Sequence, residues 1–384
     1  MTYRAAGPLR LAMVAGEASG DLLASLLMGG LLQRWPQAQM AGIGGPQMCA
    51  LGLDAWWPSD KLAVRGYVEV LRHYREIKGI RDALAKRLLD EPPAAFIGID
   101  APDFNLGLEA RLRGRGIKTI HFVCPSIWAW RGGRAKKMAA SCDHVLCLFP
   151  FEPALLHEQG VAASFVGHPL ADAIPMAVPR VPARSALGLT AQEPVVAILP
   201  GSRRSEISAI APAFLQAARQ LHQERPALRF LLPAAPGLRD ILAPLIAVHA
   251  PQVPITLLDG RSHQALAACD ITLIASGTAT LEAALFKRPM VIGYRMNGLT
   301  WQLMKRLRYQ PWVGLPNILC RDFVVPELIQ EACTPQALSR AVLSSLDNNA
   351  AAARLARRFD ELHQQLRCDT ARRASDAIAQ VLDA

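Results

Sequence analysis

Residues 96–105 read FIGIDAPDFN. Phe96-Ile97-Gly98-Ile99 is uncharged and apolar, the signature of a short strand buried on both faces. Asp100 ends the run, and Pro102 prevents the strand from continuing. Asp103 stands directly before the helical pattern FNLGLEARL and is expected to cap that helix. That leaves Asp100, at the tip of the fourth expected strand, available for chemistry.

The same rhythm runs outward in both directions. LRLAMVA precedes GDLLASLLMGGLLQRW, KTIHFV precedes GGRAKKMAASC, and HVLCLF precedes EPALLHEQG. After a Pro-rich stretch at 174–184 the alternation restarts with VVAILPGS, RFLLP and ITLIASG, each followed by a helical pattern. Apolar strands alternating with helices imply parallel sheets covered on both faces. The fold class expected is α/β, two doubly wound Rossmann-like domains facing a cleft. Residues 1–173 form the first domain, 174–184 read as a linker, and 185–345 form the second. Residues 346–384 are helical and basic, expected to pack back on the first domain or to exchange between subunits.

The 384 residues are 51% hydrophobic and 19% charged, enough for two buried cores. A formal net charge of +10 favours anionic partners: nucleic acid, an acidic membrane face or phosphorylated metabolites. No nucleic-acid motif accompanies the charge, so nucleic acid is not an expected partner. The eight cysteines are dispersed and form no CxxC pair, which points to a reducing compartment and to no bound metal. Arg10 interrupts the first apolar run and Glu17 and Asp21 follow it, so a strand and its loop are expected there rather than a signal peptide. No apolar run is long enough to span a bilayer.

Two stretches read as anion sites. VVAILPGSRRSEI sets Gly201, Ser202 and Arg203 where a strand gives way to a helix. A glycine turn lets backbone amides approach an anion, and Arg203 can pair with phosphate; a simple turn capped by Ser202 or Ser205 is the alternative. ITLIASGTATLE repeats the arrangement with Ser276, Gly277 and Thr278, and places Glu282 one helical turn in, where a carboxylate can accept both hydroxyls of a ribose. Together they fit a nucleoside diphosphate. GxxxxGK[ST] and GxGxxG are both missing from the sequence, which weighs against a P-loop or a dinucleotide fold.

In the first half, AGEASGD places Glu17, Ser19 and Asp21 after the first strand, on the sheet edge where Asp100 emerges; helix capping also accounts for Ser19 or Asp21. GIGGP, residues 42–46, adds a glycine loop. CPSIWAWRGGRAKK sets Trp128, Trp130 and Arg131 after the fifth strand, as core or as the wall of a site for an amphiphile. In VRGYVEVLRHYREIKGIR, Val64, Tyr67, Val68 and Leu71 alternate with Arg72 and Arg75, a basic-aromatic pattern that suits an anionic membrane interface or a helix packed on its sheet.

With AGEASGD, GIGGP, GIDAPDFN, PSIWAWR, FVGHPLAD, LPGSR, LLDG, ASGTATLE, GYRM, LPN and ELHQQLRC in one order, the chain resembles lipid-A-disaccharide synthases, inverting glycosyltransferases of GT-B type, family 19. Cys124, where a serine is expected, and Arg204-Ser205 after Arg203 are small departures. The resemblance implies UDP-2,3-diacylglucosamine as donor and 2,3-diacylglucosamine 1-phosphate (lipid X) as acceptor. It implies work at the cytoplasmic face of the inner membrane as a peripheral protein, with no metal or other cofactor; a homodimer is left open. Asp100 or Glu17 would be the base. Gly201, Ser202, Arg203, Ser276, Gly277, Thr278, Glu282, Arg295 and Asn317 would hold the donor, and Ser19, Asp21, Asn105, Trp128 and Trp130 the acceptor. A UDP-sugar epimerase and a non-catalytic lipid or nucleotide carrier are the rival readings.

Overall fold

The computed structural model describes residues 7–16, 18–62, 67–128, 133–296, 298, 301–302 and 310–384; of 18 and 67–74 only the backbone is described. The chain divides into two units, Met1–Ala173 with Leu366–Ala384, and Ile174–Gln365.

The first unit is built on a parallel sheet of β1 (Arg10–Ala15), β2 (Gln39–Gly44), β3 (Asp54–Pro58), β4 (Ala95–Ile99), β5 (Lys118–Phe122), β6 (His144–Cys147) and β7 (Ala163–Phe165), in the order β3-β2-β1-β4-β5-β6-β7. The second has β8 (Val195–Leu199), β9 (Arg229–Ala234), β10 (Ile255–Asp259), β11 (Ile271–Ala275), β12 (Met290–Tyr294) and β13 (Glu327–Ile329), ordered β10-β9-β8-β11-β12-β13. Every neighbouring pair is parallel. These are two Rossmann-like units. The apolar runs explain the central strands: every residue of β4, β8 and β11 is buried. Each large apolar side chain so buried contributes about 1.5–3 kcal/mol.

Strand order matters more for function than strand number. In each sheet the chain winds outward, returns and winds the other way. The reversal falls between β1 and β4 in the first unit and between β8 and β11 in the second. At such a point the flanking loops diverge and leave a crevice at the carboxyl ends of the strands. Ala15 lies opposite Ile99, and Leu199 opposite Ile274. The loops singled out in the sequence therefore leave the sheets side by side.

Two expectations change. The stretch 174–184 is not a free linker: its end lies in the helix Arg180–Ser185, where buried Arg184 donates to the Asp270 carboxylate and to the carbonyls of Ala268, Thr190, Ala191 and Glu193. A guanidinium has enough donors to tie a proline-rich segment down. The tail divides at Leu366, the last residue of the helix Asn349–Leu366. The following helix, Thr370–Asp383, packs on Ala18–Arg34 of its own chain, so closely that a Cβ on Gly30 would stand 2.8 Å from the Ala371 backbone.

Candidate functional site

At the first reversal, Asp100 and Ala101 both adopt left-handed backbone, with φ of 50° and 43°. Such a turn in two successive non-glycine residues costs about 1–3 kcal/mol at each. The Asp100 amide donates to the Phe122 carbonyl at 2.9 Å, and its carbonyl accepts from Asn105 Nδ2 at 2.9 Å. The helix then starts at Pro102, so Asp103 does not cap it; the Asp103 carboxylate accepts from Arg134 at 2.6 Å instead. The loops after β1 and β4 touch: a Cβ on Gly16 would stand 3.0 Å from Ala101 Cβ. Glu17, the next residue, lies outside the described residues, as do Val64 and Trp130.

Other acceptor-side residues are largely engaged within the fold. Asp21 is 3% exposed, and its carboxylate accepts from the amides of Gly45, Gln47 and Met48, so it caps the short helix that follows GIGGP. Asn105 is fully buried and braces the Asp100 turn. Ser19, partly exposed, opens the helix Ala18–Arg34. Tyr67, Val68, Leu71 and Arg72 open the helix Tyr67–Asp90, on which Arg75 is exposed.

Trp128 is buried, with Nε1 donating to Glu152 at 3.0 Å and its ring edge-on to Phe149 and Phe151. Burial pushes the Glu152 carboxyl up to about 8, against bonds from Phe149, Trp128 and Leu148. The thiols of Cys124 and Cys147 and the Glu152 carboxylate lie within 4.8 Å of one another, ligand types that could hold a soft metal ion. The contact with Cys124, then burial, holds the Cys147 thiol far above its ordinary range, and Glu152 already accepts three hydrogen bonds, so the trio reads as core. Glu152 gave no local signal in the sequence.

At the second reversal both glycine turns are present. Gly201 has φ 122° and Gly277 φ 149°. No Ser202 or Ser205 side chain caps the helix Arg204–Glu224; Glu206 reaches back instead, accepting from the Ser202 amide at 3.2 Å and from Arg203 Nη1 at 2.5 Å. The anion expected at this turn thus has an internal counterpart in a carboxylate. Beside it, Ser276 Oγ donates to the Val313 carbonyl at 3.0 Å, Thr278 is exposed, and an added Cβ on Gly277 meets nothing within 4 Å. Glu282 stands 3.1 Å from His263 Nε2, a partner not anticipated from sequence.

Asn317 is fully buried and makes four bonds within the fold, donating to the Val325 carbonyl and Glu327 and accepting from the amides of Val324 and Val325. These bonds brace the LPN turn. Glu327, also not anticipated, accepts from the Val313 and Gly314 amides at 2.9 Å and from Asn317 Nδ2 at 2.8 Å. Ser276 is therefore held at second hand by a carboxylate fifty-one residues away in sequence (327 − 276). Arg295 lies beside the buried Cys333 thiol.

Two Rossmann-like units, each with its candidate loops at the reversal of strand order, give the GT-B fold. The UDP-GlcNAc 2-epimerase from Neisseria meningitidis, solved with UDP-GlcNAc bound, shares the fold with TM-score 0.66 at 11% identity, over 97% of this chain and 99% of that one. MurG of Acinetobacter baumannii does so with TM-score 0.60 at 16% identity, over 97% and 99%. Sequence is more specific. The family model described as Lipid-A-disaccharide synthetase matches residues 11–378. The lipid-A-disaccharide synthase of Verminephrobacter eiseniae is 57% identical over 380 residues, 98% of each chain, and that of Burkholderia mallei 57% identical over 378, 98% of this chain and 97% of its own. The chain belongs to the lipid-A-disaccharide synthase family and is a glycosyltransferase of lipid A biosynthesis.

Proposed function

We propose that the enzyme transfers 2,3-diacylglucosamine from UDP-2,3-diacylglucosamine to 2,3-diacylglucosamine 1-phosphate (lipid X), forming the β-1′,6-linked disaccharide 1-phosphate and UDP. The acceptor 6-hydroxyl attacks the anomeric carbon, the bond from that carbon to the UDP oxygen breaks, and the hydroxyl proton passes to Asp100, assisted or rivalled by Glu17. Inversion follows from the single displacement. The amides of Gly201, Ser202 and Gly277, with Arg203, Ser276 and Thr278, stabilise the departing diphosphate. A diphosphate carries more charge than one carboxylate and displaces Glu206 from Arg203 and the Ser202 amide. Glu282 holds the ribose, oriented by His263, and Arg295 borders the donor. Trp128 and Trp130 wall the acceptor, with Ser19 beside it.

The acceptor is an insoluble lipid, and no helix among the described residues is long and apolar enough to cross a membrane. Peripheral attachment to the cytoplasmic face of the inner membrane through the basic-aromatic segment at 64–81 fits both facts.

The observation that carries the reading is the pairing of β8 with β11, from which both glycine turns leave side by side. Asp100→Asn, assayed by UDP release from the diacylated donor with lipid X, is expected to lower kcat about 100- to 10,000-fold while UDP affinity in calorimetry is kept. A variant turning over near the parental rate removes Asp100 from the base role.

A further inference from the structure

Beneath the Asp100 turn lie the buried polar side chains of Asn105, Glu109 and His121. Asn105 and Glu109 stand at i and i+4 on the helix Pro102–Arg113 and share a face. Both lie over Gly98 of β4, where an added Cβ would overlap Glu109 Oε1 and stand 3.0 Å from Asn105 Cβ and Cγ. His121 is the register partner of Gly98 on β5, and its Nδ1 lies 2.7 Å from Glu109 Oε1. All three side chains are fully buried. Asn105 Oδ1, Glu109 Oε2 and His121 Nε2 have no hydrogen-bond partner among the described residues.

Leaving three buried polar atoms unpaired is destabilising by about 1–3 kcal/mol each, so the trio is no obvious source of core stability. What the trio supplies is position. Asn105 Nδ2 points at the Asp100 carbonyl, with longer contacts of 3.4 Å to the carbonyls of Ile99 and Val14. That bond, with the one from the Asp100 amide to the Phe122 carbonyl, helps to hold a left-handed turn no glycine relaxes.

We propose that the buried Glu109–His121 pair is a positioning unit for the transfer: seated over Gly98, it fixes Asn105, and Asn105 fixes the turn that aims the Asp100 carboxylate. The inference rests on the reading of Asp100 as the base. Glu109 and His121 touch neither substrate nor reacting atoms. Lys137 and Cys142 also face Glu109, from the helix Arg134–Ser141 and the residue after it, so pH alone does not isolate the pair. The test therefore uses a split between kcat and affinity, and a rescue.

In the full chain, Gly98→Ala is expected to lower kcat at least tenfold, with UDP affinity in calorimetry within twofold of the parent. Adding Glu109→Asp, which draws the carboxylate back by one methylene, is expected to recover at least half of the lost rate. Glu109→Gln, nearly isosteric, is expected to lower kcat at least fivefold with donor KM unchanged, and decides alone should Gly98→Ala not fold. A Glu109→Gln enzyme with cooperative melting and parental kcat overturns the proposal, as does a folded Gly98→Ala enzyme that Glu109→Asp does not rescue. Asp100→Asn is run beside them. If it is inactive while Glu109→Gln is normal, only the positioning role fails; if it is active, the base assignment fails.

Discussion

Replacing Glu327 by alanine tests whether the LPN brace holds the donor turn. The carboxylate accepts three hydrogen bonds, from the Val313 and Gly314 amides and from Asn317 Nδ2. Bonds to an ionised acceptor contribute about 1.5–3 kcal/mol each. Glu327 is only partly buried, so water re-solvates some of what is lost, and Asn317 keeps its bond to the Val325 carbonyl. Counting about 1 kcal/mol per bond, Glu327→Ala should destabilise by about 3 kcal/mol, and Glu327→Gln, which keeps one acceptor oxygen, by roughly half that. The functional effect travels one bond further. Ser276 Oγ donates to the carbonyl of Val313, the residue whose amide Glu327 anchors. If that backbone loosens, Ser276 loses its fixed rotamer, and UDP binding should weaken by about 1 kcal/mol, close to fivefold. Urea unfolding reads the first effect in the transition that added UDP shifts; calorimetry with UDP reads the second. A variant as stable as the parent refutes the brace. A variant that is destabilised yet binds UDP normally refutes the link from Glu327 to Ser276.

Three further outcomes are expected. Gly201→Ala combines a φ of 122° with a Cβ 2.7 Å from Glu206 Cβ and Oε2, so UDP affinity should fall more than tenfold; unchanged binding in calorimetry would show that the turn does not carry the diphosphate. Glu152 has its folded pKa raised from 4.5 to about 8, so the stability it confers is complete below pH 4.5 and is lost as pH rises to about 8. The slope is about 1.4 kcal/mol per pH unit, and Glu152→Gln should remove it; parallel pH profiles in chemical denaturation would sink the argument. Replacing Arg72 and Arg75 by glutamate should reduce sedimentation with anionic vesicles, and undiminished sedimentation would place membrane attachment elsewhere.

The kinds of element were legible in the order of residues alone. Runs such as FIGI, VVAIL and ITLIA are too short and too uniformly apolar for anything but strands buried on both faces, and each is one. Gly201 and Gly277 announced turns because only glycine takes their backbone without strain. The run of motifs from AGEASGD to ELHQQLRC reached as far as the family. What tertiary structure alone decided is which polar group spends itself on which. Asp21 faces the GIGGP turn, Asn317 is consumed by its own loop, and Glu206 occupies Arg203. Glu327, His263 and the Glu109–His121 pair had no local mark, because their partners lie on other elements. Periodicity and turn chemistry are properties of neighbours along the chain. The strand order that sets β1 beside β4 and β8 beside β11, and the hydrogen bonds that buried carboxylates must find, are settled only when distant segments pack and water leaves.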